Sequence, residues 1–530
     1  MTVISTAIQG LIDLPRQMRW SYMPPLMVYL AAGISGLTAI VGTFFIKDYL
    51  NLSAAFLASL GFWAGLPWAL KMPLGHIVDL IWRYKALMVV LGATVIACSL
   101  LIMYGLIGHT KWMASILPVE SWFVISVIMG PVGYVLQDVV ADAMTVEAVP
   151  EVQDDGSPVA PETIKAMHTT MQTLGRFAII GGTVLVSLAN VILFQNIDDL
   201  DEAARIDLYA SIYLYALIIP LLSVIGIGLA AIQARQNQAW SIGKQPGVNT
   251  SVSVNWSILI GSLIFVIFSV TVGTSGIAYS QELVFVGSVG IILFLMNRLI
   301  RVLRPKQRRM IIGTAVIVFM FRAMPSPGPG LTWFEIDELL FNEQFLSVLS
   351  LIASLLTLVG IILLRPFMAN NSIARLIVIL SIAGALLFLP SIGMYYGIHQ
   401  WTASQTGGFI DAKFIAIINT AVESPLGQVS MIPLLAWIAR NAPANMKATF
   451  FAVFASFTNL ALSASALGTK YLNEVFVITR AVKDKVTGET LSLANYSELG
   501  ALLIAVLLIT LILPIGAVMM IQNSRFKTTD

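Results

Sequence analysis

Charge and cysteine are scarce in this sequence. Of its 530 residues only 11% are charged and 58% are hydrophobic, and the one cysteine is Cys98. A single cysteine excludes an intramolecular disulfide, and so few charges exclude a soluble protein of ordinary composition. Apolar runs long enough to cross a bilayer recur along nearly the whole chain. The composition therefore predicts an all-α polytopic membrane protein.

Several chemical signatures are missing as well. The sequence has no GxxxxGK(S/T) loop, which argues against ATP-driven pumping. Its four histidines are dispersed and do not form a metal-site spacing with the cysteine. No nucleophile–base set stands out, and no basic soluble domain is present that would bind nucleic acid. We therefore predict no enzyme activity, no cofactor, no metal and no nucleic-acid partner.

The apolar runs predict the number of helices. Each span needs about 20 mainly apolar residues, and we predict about fourteen of them. Their ranges are 23–46, 54–80, 86–108, 121–147, 166–195, 208–233, 256–275, 279–299, 310–325, 343–364, 373–397, 411–438, 446–470 and 498–522.

The distribution of Lys and Arg predicts the orientation. With the N-terminus inside, most basic residues fall on the cytoplasmic side, and the acidic loop NIDDLDEAARID falls outside. The first residues lack the pattern of a cleaved signal peptide. We predict a multi-pass protein of the cell inner (plasma) membrane with both termini cytoplasmic.

A basic run at residues 298–309 divides the chain. Removing spans seven and eight, just before it, leaves six helices on each side with matching orientation. The predicted parts are a cytoplasmic lead-in (1–22), an N-terminal six-helix bundle (23–234), an inserted two-helix hairpin with cytoplasmic linkers (235–309), a C-terminal six-helix bundle (310–522) and a cytoplasmic tail (523–530). We expect the inserted hairpin to be peripheral and to face lipid.

Local motifs resemble known families. GHIVDLIWRYK (75–85) resembles the loop-two signature of the major facilitator superfamily. LPWALKMPLGHIVD (66–79), LQDVVADAMTVEAVPE (136–151), FRAMPSPGPG (321–330) and the segment 423–461 together resemble the folate-biopterin transporter family. This resemblance implies a major-facilitator-type fold of two six-helix bundles, here with two inserted helices, and secondary transport of pterins or folates. QDVVADAMTVEAVP is also similar to bacterial muropeptide permeases.

Two carboxylates lie within the fourth predicted span. Asp138 and Asp142 are four residues apart and share one helix face. An ionised Asp at the bilayer centre costs about 3 kcal/mol or more, so such residues usually serve a function. We expect these two to couple transport to protons. The alternative is a permanent ion pair that fixes helix packing.

Other polar and aromatic residues within the spans are candidates for substrate binding. Cations suit an organic anion, and Arg offers a planar fork for carboxylate or phosphate. The alternatives are snorkelling for Lys71, headgroup anchoring for Arg322, pairing with an acid of the fourth span for Arg176, and a lipid-belt or packing position for the tryptophan. The candidates are Lys71, Trp68, Arg176, Arg322, Glu423 and Gln428.

A third group lies at the cytoplasmic ends of spans two to four. It comprises Asp79, Arg83 and Glu147, with Lys85 nearby. The superfamily resemblance implies a charge network that latches one conformation. The alternative is solvated loop charge, in which each pair is worth less than about 1 kcal/mol.

The favoured function is a proton-coupled secondary transporter that moves a small organic anion by alternating access. Its partners would be the anion, protons and the lipid bilayer. A muropeptide-type permease and a non-transporting membrane assembly factor on the same fold are the alternatives.

Overall fold

The computed structural model describes most of the chain. The described residues are 18–69, 71–80, 84–150, 157–240, 256–275, 277–301, 303–426, 429, 447–484, 487 and 489–528. Two of the residues predicted to be functional, Arg83 and Gln428, lie outside them.

The described residues are almost entirely helical. The helices are α1 (Met23–Gly33), α2 (Ala39–Tyr49), α3 (Ala54–Ala69), α4 (Lys71–Leu80), α5 (Lys85–Gly108), α6 (Thr110–Ala114), α7 (Val119–Glu147), α8 (Pro161–Leu193), α9 (Glu202–Tyr215), α10 (Ile218–Trp240), α11 (Trp256–Thr274), α12 (Ser280–Ile300), α13 (Pro305–Arg322), α14 (Pro329–Asp337), α15 (Glu343–Leu363), α16 (Arg365–Asn370), α17 (Ile373–Tyr395), α18 (Ile398–Gln405), α19 (Ala412–Glu423), α20 (Lys447–Val475) and α21 (Leu499–Gln522). Two short antiparallel strands, β1 (Val482–Lys483) and β2 (Thr490–Ser492), form a hairpin between α20 and α21.

The helix positions agree with most of the predicted spans. Nine helical stretches in the described part of the chain are long and apolar enough to cross a membrane. Others, such as α13, begin with basic residues and reach that composition only over part of their length. The all-α polytopic architecture predicted from the composition is confirmed.

Prolines explain two places where the helices differ from the predicted spans. The span predicted at 208–233 is interrupted between α9 and α10, because Pro220 has no N–H to donate to the carbonyl of Ala216. That carbonyl instead accepts a hydrogen bond from the amide of Ile219 at 2.9 Å. In the described part of the span predicted at 411–438, α19 ends at Glu423, and a 3-10 turn follows at Ser424–Leu426, where Pro425 has no N–H to donate. The rest of this predicted span, apart from residue 429, lies outside the described residues.

Side-chain caps fix several helix starts. The Asp411 carboxylate accepts the amide of Phe414 at 2.8 Å at the start of α19, and Asn342 accepts the amide of Phe345 at 2.9 Å at the start of α15. These bonds satisfy backbone donors that a helix leaves open in its first turn.

The chain forms two compact units. Unit 1 comprises Met1–Val41 and Pro73–Ile260, and unit 2 comprises Gly42–Met72 and Gly261–Asp530. In unit 1, α1 packs against α7 and α8. The backbones of α1 and α8 touch where two glycines meet, because a Cβ on Gly182 would lie 2.7 Å from the Cα of Gly33. Small residues permit such close helix contacts in membranes.

The helices predicted to form the insertion are α11, which lies in unit 2 from Gly261 onward, and α12, which lies wholly in unit 2. They pack against α3 and α20 through a buried apolar cluster with the members Phe62, Leu66, Phe265, Val284 and Leu467. The opposite side of α11 exposes apolar residues, including Leu263 and Ile267. The pair is therefore docked on two core helices through one face, and its other face carries the apolar surface expected toward lipid.

Candidate functional site

The two acids of the fourth predicted span lie on α7 in unit 1. Asp138 and Asp142 are both partly buried, although α7 is otherwise mostly apolar. The hydroxyl of Tyr29, on α1, donates a hydrogen bond to Oδ1 of Asp142 at 2.6 Å. Tyr29 is only 6% exposed. The charges of Asp138, Asp142 and Arg176 all act on this hydroxyl, so the structure brings these three predicted residues around one tyrosine.

A second set of polar contacts lies about one helical turn further along α7. The hydroxyl of Thr145 donates to the carbonyl oxygen of Asp142 at 2.6 Å and accepts from the side-chain amide of Gln172, on α8, at 3.2 Å. Thr145 is buried. Unit 1 therefore contains a hydrogen-bonded polar cluster around Asp142, formed by side chains of α1, α7 and α8.

Glu147, a member of the predicted gating group, is paired at the end of the same helix. Lys85, at the start of α5, forms an ion pair with Glu147, at the end of α7. The structure describes α4, which carries Asp79, but not the side chain of Asp79, and Arg83 lies outside the described residues. The latch function of this group stays a prediction.

The predicted substrate residues of unit 2 lie at helix ends. Lys71 begins α4 and is partly buried, Arg322 ends α13 and is partly buried, and Glu423 ends α19 and is exposed. Trp68 is partly buried, and its backbone carbonyl accepts a hydrogen bond from the side-chain amide of Asn459 at 3.3 Å. Their binding roles stay predictions, as does that of Arg176, which is exposed on α8 in unit 1.

Sequence reasoning missed a second polar cluster, in unit 2 on the side predicted to face outward. Arg480, in the segment before β1, is 3% exposed. Its guanidinium donates to the carbonyls of Lys47 at 3.0 Å, Leu52 at 2.8 Å and Ile46 at 3.0 Å, and also to that of Leu50. It therefore caps the C-terminal end of α2, where helical carbonyls lack intrahelical partners.

The neighbours of Arg480 complete this cluster. Its guanidinium carbon lies 3.9 Å from the ring centre of Trp333, a cation–π distance. Asp337 forms an ion pair with Lys47, with Nζ and Oδ1 2.5 Å apart, and accepts a hydrogen bond from the hydroxyl of Tyr496. Burial lowers the pKa of Arg480 to about 10, which leaves it charged at neutral pH, and burial together with the Asp337 contact raises the pKa of Tyr496.

The part of the chain that the structure describes contains no cluster of side chains that could bind a metal ion. Among its residues, no group of three or more His, Cys, Asp or Glu side chains is arranged to hold a metal ion.

Comparisons with known proteins agree with the fold. A crystal structure of a POT family transporter in complex with 5-aminolevulinic acid has a TM-score of 0.62 and 13% identity, and the match covers 96% of each chain. A mutant of the nucleoside transporter NupG has a TM-score of 0.54 and 12% identity, covering 95% of this chain and 100% of that one. At these identities the likeness concerns the fold alone, which is of the major facilitator type, as predicted.

Sequence relatives are more specific. A folate-biopterin transporter of Synechocystis sp. is 21% identical over 446 residues, which cover 83% of this chain and 72% of that protein. A putative folate transporter 2 of Plasmodium berghei is 23% identical over 155 residues, 28% of this chain and 32% of that protein. The model described as BT1 family matches residues 32–529. Since that match spans nearly the whole chain, the protein belongs to the BT1 family and is a multi-pass membrane transporter, not an enzyme.

Proposed function

We propose that the protein is a secondary active transporter that moves a small organic anion of the pterin or folate class by alternating access, with proton coupling. The observation that carries this proposal is the acid pair Asp138 and Asp142 on a membrane helix, with the Tyr29 hydroxyl bound to one of the acids. Carboxylates within a span are costly and mark ion or proton pathways by default.

The chemistry of a pterin or folate supports the choice of substrate class. Such molecules combine a flat heterocycle with, in folates, carboxylate groups, which match cations such as Lys71, Arg176 and Arg322. One of the two sequence relatives carries folate and biopterin in its name, and the other carries folate. Glu423, Gln428 and Trp68 are the further candidates for contacts to such a substrate.

The site would work by alternating the surroundings of Asp138 and Asp142 between two settings, one open to water and one enclosed. A carboxylate that faces water and a cation favours its ionised form, whereas one enclosed in a low-dielectric cavity favours the protonated form. A change of conformation that moves the acids between these settings loads and releases a proton. We place this cycle in the cell inner (plasma) membrane, with both termini cytoplasmic and the Lys85–Glu147 pair as part of the cytoplasmic latch.

Uptake by proteoliposomes tests the proposal. Purified protein is reconstituted, and entry of labelled folic acid, a labelled pterin and a labelled muropeptide is measured with and without an inward proton gradient. We expect gradient-stimulated entry of folic acid or the pterin and none of the muropeptide. Entry of the muropeptide alone would contradict the proposed substrate class and support a muropeptide-type permease. No entry of any of the three, with folded protein shown by its thermal transition, would contradict the proposal.

A further inference from the structure

We propose that Tyr29 is a positioning residue for Asp142, and that its hydroxyl sets the pH at which this acid takes up a proton. This inference rests on the proposed proton coupling and names a further residue of that same site. It begins from the 2.6 Å hydrogen bond between Tyr29 Oη and Asp142 Oδ1, which joins α1 to α7. A phenol can only donate to an ionised carboxylate, and such charge-assisted bonds are about twice as strong as neutral ones.

The position of the tyrosine ring is fixed by packing. Its edge lies against the backbone of α8 at Gly175, where a Cβ would come within 2.8 Å of the ring carbon Cε2. Val28 and Ala141 are buried in the same cluster, with Ala178 and Ile179 packed against it. Because the ring is held by three helices, the hydroxyl is directed at the acid without a large loss of side-chain freedom when the bond forms.

The charged surroundings of the hydroxyl come from two of these helices. Asp138 and Asp142 face it from α7, and Arg176 acts on it from α8. Asp138 disfavours a second negative charge, whereas Arg176 favours one. The Tyr29 bond adds to the effect of Arg176, because it stabilises the ionised form of Asp142. When Asp142 is protonated, the bond loses its charge assistance and the link between α1 and α7 weakens.

Removing the hydroxyl should therefore shift the proton affinity. In Tyr29→Phe, Asp142 loses a stabilising partner of its ionised form and binds a proton more readily. A hydrogen bond to a charged group contributes enough to move a titration by about one pH unit, a tenfold change in proton concentration. The pH of half-maximal proton-driven uptake should rise by that amount.

Tyr213→Phe is the matched control. Tyr213 is also a buried tyrosine of unit 1, but its hydroxyl bonds the neutral side chain of Thr38. The substitution removes the same atom and one hydrogen bond without affecting an acid. It should leave the pH profile in place, even where it lowers stability.

Infrared difference spectroscopy between acid and alkaline pH tests the inference without any substrate. We expect a protonated-carboxyl band that is lost in Asp142→Asn, and whose titration midpoint rises in Tyr29→Phe but not in Tyr213→Phe. A midpoint that is the same in Tyr29→Phe and in wild type, in folded protein, would overturn the role of Tyr29.

A transport experiment separates this failure from failure of the proposed function. If folic acid uptake keeps its full pH dependence in the double variant Asp138→Asn, Asp142→Asn, proton coupling through this pair is wrong, whatever Tyr29 does. If that variant loses the dependence while Tyr29→Phe keeps the wild-type profile, only the inference about Tyr29 is wrong. In the Asp142→Asn background, Tyr29→Phe should cause no further shift.

Discussion

Arg480 shows how one buried side chain stabilises several segments at once. It satisfies carbonyls at the end of α2 and in the turn that follows, and it stacks on Trp333. Arg480→Met would leave these buried carbonyls without their donor, at a cost of about 2–4 kcal/mol in the free energy of unfolding. Denaturant or thermal unfolding of the purified protein in detergent measures this loss.

A substitution at Lys483, three residues along the chain, is the control for Arg480→Met. Lys483→Met removes the same charge from an exposed position on β1, so its effect should stay within about 0.5 kcal/mol. Equal stability of the two variants would contradict the capping role of Arg480.

Glu335 provides a prediction about pH. Burial raises the pKa of this carboxyl, on the nine-residue helix α14, from 4.5 to about 7. The folded protein therefore binds a proton at pH values where the unfolded chain has released it. The free energy of unfolding should fall as the pH rises from 4.5 to about 7 and stay lower above that range.

Glu335→Gln removes this dependence. The variant should match wild type near pH 4 and exceed it above pH 7 by up to about 3 kcal/mol, as unfolding curves across this range would show. Glu338→Gln, a change at the exposed acid just after α14, should give a curve parallel to wild type. A parallel curve for Glu335→Gln as well would refute the assignment.

At the residue scale, the sequence indicated charges but not their partners. Asp138 and Asp142 stand out because an acid in an apolar run has few benign explanations. Tyr29 gave no such signal, since a tyrosine near a membrane boundary is ordinary. Its partner lies 113 positions along the chain, and Arg480 lies more than 400 positions from the carbonyls that it caps. Such pairings depend on tertiary packing and cannot be read from local patterns.

The inserted helix pair is the clearest feature at the scale of elements. The side-chain amide of Gln281 donates to the carbonyl of Ser59, on α3, at 3.2 Å. The carboxylate of Glu282 accepts from Lys470 at 2.9 Å and from Tyr471 at 2.5 Å, both on α20. Adjacent residues of α12 thus bind two different core helices. We expect this docking to contribute to the stability of unit 2.

A pair of glycines tests this docking. A Cβ on Gly273, in α11, would lie 2.7 Å from the Trp63 ring of α3, whereas nothing lies within 4 Å of a Cβ on Gly290, in α12. Gly273→Ala should therefore destabilise the protein by about 1–3 kcal/mol through overpacking. Gly290→Ala should be neutral or slightly stabilising, and thermal unfolding compares the two. Identical transitions would show that the pair is not held against α3 as described.

Helix boundaries were predictable wherever the bilayer alone determines them. The structure places α5 at Lys85–Gly108 and α7 at Val119–Glu147, close to the predicted 86–108 and 121–147. The length of a span is set by the membrane, so an apolar run reveals it. The short helices α14 and α18 were not predicted, because segments of nine and eight residues are not subject to this length constraint.

At the scale of the whole molecule, the positive-inside pattern predicts the orientation. In a Cys98→Ala background, a cysteine at position 483 on β1 should react with a membrane-impermeant maleimide in intact cells. A cysteine at position 527, near the C-terminus, should react only after the cells are permeabilised. Both positions are accessible, since Lys483 and Lys527 are exposed. The reverse pattern of labelling would contradict the predicted topology.

The central claim is that an organic anion and protons move together through the acid pair. The most direct measurement follows the pH inside proteoliposomes that contain a trapped pH dye, with the membrane potential clamped and no initial pH gradient. An inward gradient of folic acid should acidify the lumen of vesicles with wild-type protein, but not of vesicles with the double variant Asp138→Asn, Asp142→Asn. Accumulation of labelled folic acid by the wild-type protein at a constant luminal pH would contradict the account.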